Sequence, residues 1–66
     1  MTVTINDKSL QLPEGATLLQ ALEAEGINPG GIATAVNNTV VPRDSRAAHT
    51  LNPGDKIIII KAFYGG

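Results

Sequence analysis

The chain has 66 residues, a formal net charge of −1, 42% hydrophobic residues and neither Cys nor Trp. That length gives one domain at most, and without Cys there is no disulfide framework, thiolate zinc site, thiol nucleophile or redox centre. Five Lys and Arg scattered from Lys8 to Lys61 leave no basic footprint for nucleic acid, and one His, His49, builds no histidine metal cluster.

The opening Met1 to Asp7 has neither the basic nor the apolar region of a signal peptide, so the expected compartment is the cytoplasm. Val3 and Ile5 alternate with Thr2 and Thr4, and Leu10 and Leu12 with Ser9 and Gln11. With turn residues Asn6-Asp7 between the runs and Pro13 closing the second, the first thirteen residues predict a β-hairpin. Thr17 and Gln20 have capping-box spacing and start a helix from Leu18 to Glu25, with Leu18, Leu19 and Leu22 as its apolar face. Gly26 then Ile27 fit a Schellman stop. Ile32–Val36 and Thr39–Val41 predict two strands joined by a two-residue Asn37-Asn38 turn. From Arg43 to Thr50 no strand pattern exists; Asp44 or Ser45 is placed to cap one helical turn through Ala48, and Arg43, Asp44 and Arg46 are expected in a solvated loop. His49, with no second catalytic group near it, is expected to be structural or solvent-facing.

After the turn Asn52-Pro53-Gly54-Asp55 comes Lys56–Lys61, apolar on both faces and therefore expected in the middle of the sheet. Its run of four Ile is far short of the ~20 residues of a membrane helix. The order ββαββ predicts an α+β fold of the β-grasp, ubiquitin-like type, with first and last strands paired centrally and one helix across one face of a mixed sheet. Residues 1–62 are expected to form the domain and 63–66 a flexible tail. Periodicity alone leaves open which face of the last strand is buried; by analogy with ubiquitin-like folds Ile57 and Ile59 are core, and Ile58 and Ile60 form a docking patch. Phe63 and Tyr64 are the only aromatic residues. Phe63 either closes the core or joins the tail, and Tyr64 is the better candidate for partner contact.

The chain ends in Gly65-Gly66, a pair expected by chance in roughly one chain in 200, so a frayed end or expression scar is the bland reading. A substrate pocket of ~300–1,000 Å³ would compete with so small a core, which favours a carrier, subunit or binding module over an enzyme. Together with Ala35-Val36-Asn37, Val40-Val41-Pro42-Arg43, His49 and Pro53-Gly54-Asp55-Lys56-Ile57, the terminal glycines resemble the ThiS family, the sulfur carrier proteins of thiamine biosynthesis. Arg46 departs from the family, which often has a bulky aromatic residue there.

The resemblance implies a monomeric, non-enzymatic carrier whose Gly66 carboxylate becomes a glycyl adenylate and then a thiocarboxylate (1-thioglycine), with Phe63, Tyr64 and Gly65 entering a partner's active site. It implies a ThiF-type E1-like adenylyltransferase, a cysteine desulfurase or other sulfur donor, and a ThiG-type thiazole synthase as partners. ATP and Mg²⁺ would be bound by the adenylyltransferase, since this chain has no phosphate-binding glycine loop and no metal site. The same fold and tail also suit the small subunit of molybdopterin synthase, a ubiquitin-like protein modifier, or a β-grasp interaction module.

Overall fold

The computed structural model describes residues 1–61. The opening alternation makes β1 (Thr2–Ile5), which turns back antiparallel as β2 (Lys8–Gln11) with Val3 opposite Leu10. Asn6 and Asp7 between them have φ of 47° and 70°. Two consecutive left-handed residues give the turn whose twist matches a tight hairpin, and Asn and Asp tolerate that conformation. The open end is prolonged by the Leu12 N–H donating to the Met1 carbonyl at 2.9 Å.

α1 (Leu18–Ala24) starts on the expected capping box. The Gln20 N–H donates to Thr17 Oγ1 at 3.3 Å, and the Thr17 N–H donates to Gln20 Oε1 at 2.8 Å. The two donors between them find partners in a distant segment: Leu18 N–H on the His49 carbonyl (2.9 Å) and Leu19 N–H on the Arg46 carbonyl (3.2 Å). The orphan N–H groups of the first turn are thus all satisfied. At the other end Gly26, at φ 67°, carries the Schellman pair: its own N–H donates to Glu23 and the Ile27 N–H to Leu22. The helix stops at Ala24 with Glu25 as its cap, and its buried face is Leu18, Ala21 and Leu22. Leu19, expected on that face, is only half-buried, because positions 18, 21 and 22 share the stripe of a 3.6-residue repeat.

β3 (Ile32–Val36) and β4 (Thr39–Val41) form a second hairpin on Asn37-Asn38, at φ 50° and 69°. β5 (Lys56–Lys61) lies parallel to β1 and antiparallel to β3, giving the strand order β2-β1-β5-β3-β4. This is the β-grasp arrangement, with the most apolar strand in the centre. Ile57 and Ile59 are buried beneath α1 with Val3, Ile5, Val36, Val41 and Leu51, while Ile58 is half-buried and Ile60 exposed on the opposite face.

Between β4 and β5 the chain departs from the sequence expectation twice. A 3₁₀ turn occupies Arg43–Ser45, preceded by Pro42, with no side-chain cap from Asp44 or Ser45. Proline supplies a fixed φ instead, so no Asp or Ser cap is needed to start the turn. Arg43 and Asp44 are exposed as expected, but Arg46 is not solvated: it retains 2% of its accessible surface. Its Nε donates to Thr34 Oγ1 (3.1 Å), Nη1 to the Pro29 carbonyl (3.0 Å) and Nη2 to the Ile32 carbonyl (2.8 Å). The planar fork reaches three acceptors that a point charge cannot, and this makes its burial tolerable.

Candidate docking face and chain exit

The sheet has one face covered by α1 and one face bare. Register decides which side chains share the bare face. Ala35 pairs with Ile58 and Ala33 with Ile60 across β3–β5, and Ala35 pairs with Val40 across β3–β4. Ile58, Ile60, Ala33, Ala35 and Val40 therefore form one apolar field, in which Ile60 is 59% and Val40 71% exposed. Small alanines between large aliphatic side chains leave a shallow, accessible surface rather than a pocket. Such a field is costly to leave in water and suits a protein partner. Lys56, exposed at the start of β5, shares this face by alternation, whereas Lys61, exposed at its end, belongs to the other side.

Val40 was not among the expected docking residues. In isolation Thr39-Val40-Val41 offers two valines on opposite faces, and Val41 takes the buried one. The signal lay in the turn: once Asn37-Asn38 is a two-residue loop, Val40 must stand beside Ala35 and hence beside Ile58.

The start of β5 is fixed by Asp55, a second residue whose part sequence reasoning missed. Its carboxylate accepts from Asn37 Nδ2 (2.9 Å) and from the Asn52 N–H (2.8 Å), and its own carbonyl accepts the Thr4 N–H (3.0 Å). Asn37 Oδ1 in turn accepts the Lys56 N–H (3.0 Å). The Pro53-Gly54-Asp55-Lys56 stretch thus ties the β5 entry to both hairpins. Its signal was a carboxylate immediately after a Pro-Gly turn, where it can close that turn on itself. His49 is half-buried and contributes its backbone carbonyl to the α1 start.

Gly65, Gly66, Tyr64 and Phe63 lie outside the described residues. What the structure does place is the point from which they continue: Lys61, opposite Ile32 at the end of β5 and adjacent to exposed Ile60. Among the described residues no group of three or more His, Asp or Glu is arranged to hold a metal ion, and no helix is long and apolar enough to cross a membrane.

A mixed five-stranded sheet grasping one helix, bare and apolar on the side where the C-terminal strand emerges, defines a ubiquitin-like β-grasp protein. The ThiS family model matches residues 1–66, and the chain belongs to that family. It is 33% identical to the sulfur carrier protein ThiS of Escherichia coli K12 over 66 residues, all of both chains. The crystal structure of the thiamine biosynthesis protein ThiS from Geobacter metallireducens superposes with a TM-score of 0.80 at 25% identity, covering 100% of this chain and 99% of that one. The solution structure of a Geobacter metallireducens thiamine biosynthesis protein superposes at 0.76 with 23% identity, over 100% of this chain and 88% of that one, and supports the fold.

Proposed function

We propose that this protein is a sulfur carrier for thiazole formation in thiamine biosynthesis, acted on by partner enzymes and not itself catalytic. The observation that carries the proposal is the apolar field of Ile58, Ile60 and Val40 next to the point where β5 runs on toward Gly65-Gly66. Membership of the ThiS family supports the same reading. An adenylyltransferase that covers this field sits at the root of the five residues after Lys61, which span up to ~17 Å when extended. The domain can stay outside the enzyme while its terminus enters.

The chemistry follows from the terminal carboxyl. With a pKa of ~3.5 it is an anion at neutral pH and a poor acceptor for a nucleophile. Attack of the Gly66 carboxylate on the α-phosphorus of ATP releases pyrophosphate and gives an acyl adenylate. A sulfide-level nucleophile then adds to the acyl carbon and AMP leaves, producing the thiocarboxylate. Gly66 leaves that carbon unhindered, and Gly65 allows backbone angles closed to other residues in a narrow channel. ATP and Mg²⁺ are held by the E1-like enzyme. The sulfur comes from a desulfurase or other donor; where it arrives as a cysteine persulfide, a thiol reductant supplies the two electrons that bring it to the sulfide level. Thiazole synthase takes the sulfur.

The test is the intact mass of the protein after co-expression with the adenylyltransferase and sulfur donor. One oxygen exchanged for sulfur on the C-terminal peptide is the expected result. A ladder of larger conjugates would make it a protein modifier, and an unchanged mass would leave only a β-grasp interaction module.

A further inference from the structure

We propose that Asn6 and Arg46 are positioning residues for the C-terminal end of β5. Their side chains stand in for the strands missing on either side of it, and so hold the root from which the chain continues. Peptide groups of a central strand point alternately to its two neighbours. The Asp55 and Ile57 carbonyls accept the N–H groups of Thr4 and Asn6, on the β1 side, and the Lys56 carbonyl accepts the Asn37 N–H, on the β3 side. Ile59 therefore turns its N–H and carbonyl toward β1, but β1 ends at Ile5, opposite Ile57. The Asn6 side chain answers both: Oδ1 accepts the Ile59 N–H at 2.9 Å, and Nδ2 donates to the Ile59 carbonyl at 3.4 Å. A side-chain amide, with its own donor and acceptor, reproduces the pair of bonds that one more strand residue would make.

On the other side the sheet also runs out. β4 ends at Val41, opposite Thr34, whereas β3 begins two residues before Thr34, at Ile32. Pro42 follows Val41 and has no N–H to extend the ladder. Arg46 takes that place, with Nη2 on the Ile32 carbonyl (2.8 Å), Nη1 on the Pro29 carbonyl (3.0 Å) and Nε on Thr34 Oγ1 (3.1 Å). Thr34 Oγ1 donates onward to the Val41 carbonyl at 2.9 Å, which ties the guanidinium to the last residue of β4. Between the two clamps lie Ile60 opposite Ala33 and Lys61 opposite Ile32, a ribbon two strands wide. Two strands alone are marginal in water. Burial of β5 adds little here, because Ile60 is 59% exposed and Lys61 is exposed as well. The two polar side chains hold this end shut.

Opening of Ile59 to Lys61 would add three residues, ~10 Å, to the chain between the body and Gly66. That consequence rests on the carrier reading; the clamps do not. The experiment is amide hydrogen exchange by NMR on the full 66-residue protein. Asn6→Gly keeps the left-handed turn, at φ 47°, and removes both side-chain bonds. The Ile60 and Ala33 amides should then exchange roughly tenfold faster, while Val3 and Leu10 of the first hairpin keep their rates. Asn6→Asp, which keeps the acceptor and loses the donor, should fall between. Arg46→Met should accelerate Ile60 and Ala33 more than Val3 and Leu10. Thr17→Ala, which weakens the α1 start and removes neither clamp, should leave the ratio between the two pairs unchanged. With the adenylyltransferase, kcat/KM for pyrophosphate release should fall in the order parent, Asn6→Asp, Asn6→Gly. No acceleration, equal acceleration of both pairs, or a constant kcat/KM across the Asn6 series despite faster exchange would overturn the proposal. Exchange needs no partner, so its failure leaves the sulfur-carrier reading standing, and an unchanged intact mass overturns that reading and leaves the clamps standing.

Discussion

Arg46→Met offers the sharpest test of how this small domain is held together. Methionine keeps most of the unbranched stem and removes the guanidinium. Three donor bonds are lost at once, to Thr34 Oγ1 and to the carbonyls of Pro29 and Ile32. Hydrogen bonds from a charged group contribute ~1.5–3 kcal/mol each, but the two carbonyl bonds are only partly buried, so water regains some of what is lost. Removing the buried charge also relieves its desolvation. The net expectation is a loss of ~2–3 kcal/mol, a large share of the roughly 3–10 kcal/mol typical of a domain this size. With a urea m-value of ~1 kcal/mol per M, the unfolding midpoint followed by far-UV circular dichroism should fall by ~2–3 M. Arg46→Lys should fall nearly as far, because one ammonium cannot span acceptors spread across a planar fork. A midpoint within ~0.5 M of the parent for Arg46→Met would refute the reasoning: desolvation would then offset the three bonds, as it does for some buried ion pairs.

Other outcomes follow from the same geometry. Thr17→Ala removes the acceptor for the Gln20 N–H and should cost ~1 kcal/mol in a denaturant titration. Ile59→Asp places a charge under α1 and should abolish the folded circular dichroism spectrum. Ile60→Asp, on the bare face, should stay folded yet weaken adenylyltransferase binding ~10-fold or more by calorimetry. One alanine added after Gly66 displaces the carboxylate by ~3.5 Å and should cut pyrophosphate release ~100-fold or more, with the melting temperature unchanged.

The elements were legible because their signals are local. Thr17 with Gln20, Gly26 with Ile27, and the Asn6-Asp7 and Asn37-Asn38 pairs each specify a start, a stop or a turn within four residues, and the structure uses all four. The central place of β5 was legible from its two apolar faces. What could not be read is what joins elements distant in sequence. Arg46 lies 12 residues from Thr34 and 17 from Pro29 in sequence, and nothing near it announces three acceptors. An arginine in a polar stretch reads as solvated until topology brings a loop over it. Asp55 and Val40 were hidden in the same way, one by a contact 18 residues away and the other by a register that only the assembled sheet reveals.

These long-range contacts converge on one strand. β5 enters through Asp55 and Asn37, which fix Lys56 against both hairpins. Where β1 turns away after Ile5, the Asn6 side chain takes over as its substitute: Oδ1 accepts the Ile59 N–H at 2.9 Å and Nδ2 donates to the Ile59 carbonyl at 3.4 Å. At its far end β5 pairs through Lys61 with Ile32, the residue whose carbonyl Arg46 holds. The described body contains no buried side-chain polar atom left without a partner, so the strand is set in a fully satisfied frame. On the proposed carrier reading, in which Gly66 reacts, the direction and origin of that strand matter more than any one side chain. The buried aspartate and arginine hold its two ends: Asp55 fixes where β5 begins, and Arg46, through the Ile32 carbonyl, braces β3, the strand beside which Lys61 ends it.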